Sequence, residues 1–171
     1  MSLCLISPSD KIASRAGAPG RSPGAYVKRC PSNSLAAVVD HYWIARWDRR
    51  DTVARDAGAL LDPCVHMQII AGAARVHGVM RGAFRIRIDG AGCVVGVKFR
   101  PGGFYPFVRA SVSRWTDRTV PADAIFAATT MAVQAWGSDL WNAAASCTGD
   151  RVENATLIAT QLDGFLEQRL P

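Results

Sequence analysis

The sequence predicts an α+β domain in which an antiparallel β-barrel or sandwich is followed by helices. Two observations lead to this prediction. Up to about residue 108, short stretches alternate apolar with polar residues and are separated by turn signals; Val95, Val97 and Phe99 form one apolar strand face. Beyond Val108 the apolar residues recur at helical spacing. We therefore expect a β part over about residues 36–108 and a helical part over about 111–170.

Composition and length indicate one globular domain. The 171 residues are 49% hydrophobic and 20% charged, which is an ordinary composition for a single core of this size. The net charge of +6 contains no run of five like charges, so a solvated sheet face is favoured over a nucleic-acid groove. Five widely spaced cysteines without a CxxC pair predict no disulfide framework. Since the sequence contains neither a secretory signal nor a membrane-spanning stretch, we expect a cytoplasmic protein without a membrane partner.

The first 25 residues differ from the rest of the chain. They are rich in proline and glycine and show no periodicity, so they predict an irregular N-terminal arm that precedes a single domain over residues 26–171.

The β part begins with a short predicted helix at Ser32–Val39 and a strand at His41–Trp47, with Trp43 and Trp47 on one face. Polar residues predict a loop at Asp48–Ala59, and alternation predicts a further strand at Cys64–Ala71.

Two strands are then predicted to pair with each other, at Arg75–Val79 and Ala83–Ile88. The dipeptide Asp89-Gly90 is a hairpin signal, so Ala83–Ile88 is also predicted to pair antiparallel with Cys93–Arg100.

A turn follows the last of these strands. Pro101 cannot donate a ladder hydrogen bond, and Gly102 and Gly103 permit a positive φ, so the strand must end there. Phe104 and Tyr105 leave this turn directly. Aromatic rings at this place either close one end of the sheet or line a ligand pocket, and the sequence leaves both possibilities open.

The helical part is predicted as one turn at Val112–Trp115 and a helix at Ala122–Trp136 with Pro121 at its start. Gly137 is predicted to end this helix, and two more helices to follow at Asp139–Ala145 and Asp150–Leu170. The final helix carries an apolar stripe that packs either on the core or on a second copy of the chain; we assign it to dimerisation. Its members are Leu157, Ile158, Leu162, Phe165 and Leu166.

Several motifs follow one another at a spacing that resembles a known family. They are GVKFRPGGFYPF at 96–107 and TDRTVP at 116–121, together with YW at 42–43, LDPCVH at 61–66, HGV at 77–79, GAF at 82–84 and FLEQRLP at 165–171. Over roughly residues 26–171 the chain resembles the N-terminal regulatory domain of one branch of the AraC family of bacterial transcription regulators.

This resemblance implies a cupin-like effector-sensing and dimerisation domain that acts as a homodimer and responds to a small-molecule effector. Family members continue into two helix-turn-helix units, so DNA would be bound only through a C-terminal part that this chain does not include. The resemblance implies no catalysis and no cofactor, and it assigns no effector-binding residue.

Strand alternation predicts where an effector would bind. His66 and Gln68 share a strand face, and Phe104 and Tyr105 leave the glycine turn. We therefore predict a pocket at the mouth of the sheet, lined by Trp43, His66, Gln68, Phe104 and Tyr105.

Other chemistries find little support in the sequence. Cys64 and His66 face the same way, with His41 and His77 on neighbouring strands, but their spacing matches no standard zinc cluster, so no metal is predicted. GxSxG and phosphate-loop motifs are absent, and no catalytic residue is predicted. A helix-turn-helix over 132–145 would present only Asn142 for reading bases. The alternative to a regulatory domain is a small cupin-like metal-binding protein or enzyme.

Overall fold

Six strands of the chain form one antiparallel sheet, and four α-helices follow along the chain. The computed structural model describes residues 26–50, 53–59, 62–126, 130–145 and 152–171. The predicted α+β class, an antiparallel sheet followed by helices, is confirmed, and the sheet is open. The predicted arm, residues 1–25, lies outside the described residues. No helix in the described ranges is long and apolar enough to cross a membrane.

The elements have the following bounds. The strands are β1 Tyr26–Arg29, β2 Val39–Arg49, β3 Arg55–Ala59, β4 His66–Ile70, β5 Ala73–His77, β6 Phe84–Ile88, β7 Gly90–Phe99 and β8 Thr119–Pro121. The helices are α1 Tyr105–Val108, a 3-10 turn at Val112–Trp115, α2 Asp123–Phe126, α3 Thr130–Ala145 and α4 Val152–Glu167. Residues 33–38, predicted as a helix, form turns instead.

The main sheet has the order β1-β2-β7-β4-β5-β8, and β3 pairs with β6 in a separate two-stranded sheet. Two predicted pairings are therefore wrong: β6 pairs with neither β5 nor β7. β7 lies between β2 and β4, where Val95 and Val97 are fully buried, whereas β6 carries the exposed residues Arg85 and Arg87. Gly90, with a φ of 55°, stands where the chain passes from one sheet to the other. Part of the predicted loop, Arg55–Ala59, is the partner strand β3.

One face of the main sheet is apolar and packs on the helices. Val95, Val97, Met67, Ile69 and Val76 point to this face, and each is at most 1% exposed. Helix α3 approaches this side closely at a glycine, Gly137. We call this side the helix face.

Helix α3 is continuous through the glycine that was predicted to end it. A Cβ atom on Gly137 would lie 2.4 Å from the carbonyl oxygen of Gly72, so glycine here allows α3 to cross the β4–β5 turn at close range. The predicted break at Gly137 is wrong, and the continuous helix agrees with the rejection of a helix-turn-helix over 132–145. Pro121 ends β8, and the predicted helix over residues 122–136 contains α2, Asp123–Phe126, and the start of α3; residues 127–129 are outside the described residues.

The apolar stripe of α4 belongs to the core of one chain. Ile158, Leu162 and Leu166 are at most 1% exposed, and Phe165 is stacked between Trp136 and the guanidinium group of Arg169, at 3.9 and 3.7 Å. Within one chain these four side chains pack in the core, and their role in dimerisation stays a prediction. The fifth stripe residue, Leu157, is 52% exposed.

Helix α4 is also tied to the start of the domain by hydrogen bonds. The Tyr42 hydroxyl on β2 donates to the Asp163 carboxylate over 2.6 Å, and the backbone N–H of Ser32 donates to the same oxygen over 2.9 Å. The hydroxyls of Ser32 and Ser34 donate to Glu167 one turn later. The C-terminal helix is thereby joined to strand β2.

The chain turns after β7 as the sequence predicts, and its two glycines serve different purposes. Gly102 has a φ of 76°, which a side chain would strain. Gly103 has no such φ, but a Cβ on it would lie 2.2 Å from the carbonyl oxygen of Val38. Pro101 precedes both in the turn.

Candidate ligand site on the second face of the sheet

The second face of the main sheet carries buried polar side chains. Strand register places His41, Lys98, His66 and His77 side by side across β2, β7, β4 and β5. The next row along the strands is Trp43, Gly96, Gln68 and Arg75. The three histidines and Gln68 are each only 6–8% exposed. We call this side the polar face.

A charged side chain, that of Lys98, lies at the centre of the first row. The Lys98 ammonium group contacts the Asp62 carboxylate and lies 3.4 Å from that of Asp40. Burial alone would lower the pKa of Lys98, but its hydrogen bond to Asp62 and the two negative charges outweigh burial and raise it. Burial also opposes ionisation of Asp40, yet His41 and Lys98 lower the pKa of that carboxyl group. Lys98 is therefore charged and already paired with two carboxylates.

The three histidines are neutral at pH 7. Burial, and next the positive charge of Lys98, lower the pKa of His66 to about 4. Burial is likewise the main cause that lowers the pKa values of His41 and His77. The Nδ1 atom of His77 lies 3.0 Å from the Thr119 hydroxyl, and that of His41 lies 3.1 Å from Asp40. A row of neutral imidazoles offers both donors and acceptors of hydrogen bonds.

Cys64 lies beside this row but is not an activated thiol. Its Sγ atom is 3.4 Å from Nε2 of His66. Burial raises the pKa of Cys64 to about 11, so the thiol stays protonated at neutral pH. Nucleophilic catalysis by this cysteine is therefore disfavoured.

The second row provides a flat aromatic surface. A Cβ atom on Gly96 would lie 2.0 Å from the Trp43 indole, so the ring lies on the backbone of β7 at the position where other residues carry a side chain. Tyr26 stacks beside the ring at a centroid distance of 6.1 Å. Trp43 is half-buried, so part of the indole remains available to a ligand.

Gln68 is the most informative residue of the polar face. Its residue surface is 6% exposed, and strand register places it beside Gly96, on which the Trp43 indole lies. A side-chain amide offers a hydrogen-bond donor and an acceptor to a ligand. The neighbours across the sheet, Trp43 on Gly96 and Lys98 with His66 one row on, supply an aromatic surface and further polar groups. The arrangement suits a ligand that hydrogen-bonds an amide and stacks on an indole.

The residues of the predicted pocket divide between two places. Trp43, His66 and Gln68 lie on the polar face. Phe104 instead packs edge-on against Phe99 at 4.9 Å, within the core, and Tyr105 is 55% exposed. The turn at residues 101–104 directs Phe104 to the side of the sheet where Phe99 lies, so Phe104 does not join the polar face.

Sequence reasoning missed Lys98 and treated His41 and His77 only as metal ligands. Strand alternation could have found all three, because His41 shares a face with Trp43, and Lys98 with Gly96. What the sequence could not supply is the order of the strands, which brings β2, β7, β4 and β5 together.

A metal centre is not formed by the described residues. Within them, no group of three or more His, Cys, Asp or Glu side chains is placed to hold an ion. In the register of the sheet, Lys98 stands between His41 and His66, and an ammonium group there repels a cation.

Comparison with known proteins identifies one family. A family model described as "Domain of unknown function (DUF6597)" matches residues 28–121, which is more than half of the chain and extends from β1 to β8. No curated protein and no solved structure matches the chain.

Proposed function

We propose that this chain, which belongs to the DUF6597 family, is the effector-sensing and dimerisation domain of an AraC-family transcription regulator. In this proposal a small-molecule effector binds on the polar face, and DNA is bound by helix-turn-helix units outside residues 1–171. The family match covers the motif block at 96–107 and the TDRTVP block at 116–121, on which the resemblance mainly depends. The domain works in the cytoplasm and performs no catalytic step.

The nearly buried polar side chains on one face of the sheet, His41, His66, His77 and Gln68, carry this proposal. A sheet face that served only stability would be apolar at this degree of burial, since polar groups are costly to bury. The Gln68 amide, beside the Trp43 indole, can donate and accept hydrogen bonds to a ligand. Because Lys98 is already paired with Asp62 and Asp40, and the histidines are neutral, the effector class that suits the face is polar and uncharged.

Thermal unfolding in the presence of a panel of uncharged polar metabolites, such as sugars, amides and nucleosides, tests this assignment. We expect at least one compound to raise the melting temperature of the wild type, because a ligand that binds only the folded state stabilises it. The same compound should have no effect on Gln68→Met. Arg87→Gln, an exposed change on β6, should respond as the wild type does. A compound that stabilises Gln68→Met as well as the wild type would place the site elsewhere.

Dimerisation is proposed through the exposed side of α4. Leu157 is the stripe residue that remains at the surface, at 52% exposure. Regulators that read paired half-sites need two DNA-binding units at a set separation, and a contact on the final helix would provide it. Light scattering should show a dimer for the wild type and a monomer for Leu157→Glu; a wild type that is monomeric at high micromolar concentration would contradict this part.

The alternative, a small cupin-like metal-binding protein or enzyme, makes a different prediction. Protein purified without chelator would then contain metal in stoichiometric amount, and His66→Leu would lose it. The regulatory proposal predicts neither result. It also predicts that residues 1–171 do not retain promoter DNA at physiological salt.

A further inference from the structure

A pocket that opens to solvent lies away from the polar face, where the segment after β7 packs against β8 and α2. Its volume is about 240 Å³, and apolar and aromatic side chains line it: Phe107, Val108, Trp115, Val120, Ala124 and Ile125. We call it the Trp115 pocket. Since an apolar cavity of about 150 Å³ can hold benzene, this one has room for an aromatic ring with a short substituent.

The loop beside this pocket, residues 109–118, is held in a strained and well-supported conformation. Arg109 and Asp117 have φ values of 45° and 57°, which non-glycine residues keep only where their surroundings enforce them. A Cβ on Gly78 would lie 1.8 Å from the Trp115 carbonyl oxygen, and the Gly78 N–H donates to the Arg118 carbonyl over 2.9 Å. The pocket wall is therefore preformed by close backbone packing.

The same loop presents three arginines that are exposed. In the described ranges, the side chains of Arg109, Arg114 and Arg118 form no ion pair or hydrogen bond. The carboxylate within the loop, Asp117, is already bound to Arg81 over 2.6 Å.

Each of these arginines stands within two residues of a residue that lines the pocket. The Ala124 N–H donates a hydrogen bond of 2.9 Å to the Asp123 carboxylate. These exposed arginines are neighbours in the sequence of pocket-lining residues, so the pocket matches a ligand with one apolar and one anionic end, because guanidinium groups pair with carboxylates in bidentate fashion.

We propose that the Trp115 pocket binds a small aromatic carboxylate, with its ring in the cavity and its carboxylate against the arginines of the loop. This site is separate from the polar face and does not depend on the function proposed above. It also differs in chemistry, since the polar face suits an uncharged ligand.

Titration of the protein with phenylacetate, followed by ¹H–¹⁵N NMR, tests this proposal. The indole N–H signal of Trp115, assigned from its loss in Trp115→Phe, reports on the cavity itself. We expect this signal to shift and saturate at millimolar phenylacetate. Phenylacetamide has the same shape without the charge and should bind roughly tenfold more weakly. No shift of the Trp115 signal, or equal affinity for the two compounds, would overturn the proposal.

Three variants separate the cavity from the charges. Ala124→Phe fills the cavity from an exposed position and should abolish binding. Arg114→Gln combined with Arg118→Gln should weaken phenylacetate by about tenfold and leave phenylacetamide unchanged, whereas the exposed control Arg85→Gln on β6 should change neither. If Ala124→Phe, shown to be folded by its unchanged spectrum elsewhere, still binds phenylacetate with wild-type affinity, the ligand pairs with surface arginines only and the cavity assignment is wrong.

Discussion

The helix face and the polar face of the main sheet are built from the same strands but bury different kinds of side chain. Neighbouring residues on β4 illustrate the difference. Met67 points to the helix face and is fully buried in the core, whereas Gln68 points to the polar face and is 6% exposed. On one face, burial of apolar side chains stabilises the fold. On the other, nearly buried polar side chains offer hydrogen-bonding groups to a ligand.

The largest expected effect concerns the helix face. Leu162 on α4 is fully buried, so Leu162→Glu places a charge in the core and should cost more than about 4 kcal/mol, enough to unfold a typical domain. Circular dichroism should show loss of the fold. Leu157→Glu, on the exposed side of the same helix, should stay folded. If Leu162→Glu were a folded monomer, the stripe would be an interface and the helix face would be incompletely covered.

An intermediate effect is expected on the polar face when the pH falls. The pKa of His66 is lowered by burial to about 4, below its usual value near 6.5, so between these values the unfolded chain binds more protons and folding becomes less favourable as pH falls. The contribution of His66 to the loss from pH 7 to about pH 5 is roughly 2 kcal/mol. The lowered pKa values of His41 and His77 add to it in the same direction.

Urea unfolding at the two pH values measures this loss, and His66→Leu should reduce it. The charged and titratable groups that influence these histidines are Asp40, Asp62, Lys28, Lys98 and Arg75. Asp40, with its lowered pKa, still carries its charge at pH 5. A wild type that is as stable at pH 5 as at pH 7 would mean that the polar face is open to water.

A smaller effect is expected for two glycines, Gly137 on the helix that covers the helix face and Gly96 on the polar face. Gly137→Ala would push a Cβ against the backbone of Gly72, which cannot yield, and should cost about 1–3 kcal/mol despite the better helix propensity of alanine. Gly96→Ala would meet the Trp43 indole, a side chain that can rotate away, and should cost less than about 1 kcal/mol. Urea midpoints compare the two. A larger loss for Gly96→Ala would show that the Trp43 ring is fixed by packing and is not a ligand surface.

The sequence predicted the parts of this fold that depend on local pattern. Strands β2, β4 and β7, the glycine turn at Gly102, and the amphipathic final helix all follow from alternation, turn chemistry or helical spacing. The errors concern contacts between distant segments: β6 ends just before Asp89-Gly90 but pairs with β3, and α3 continues through Gly137 because Gly72 lies against it. The candidate site shows the same division. His66 and Gln68 could be placed on one face from their spacing, whereas the row with His41, Lys98 and His77 depends on strand order.

The most direct test of the difference between the two faces uses the neighbours Met67 and Gln68 in matched urea-unfolding experiments. Met67→Gln puts an amide into the helix face and should lower the free energy of unfolding by about 3 kcal/mol. Gln68→Met replaces a nearly buried polar side chain with an apolar one of similar size and should leave stability unchanged or raise it by about 1 kcal/mol. A loss in Gln68→Met comparable to that in Met67→Gln would contradict the assignment, because Gln68 would then be a structural residue rather than part of a binding site.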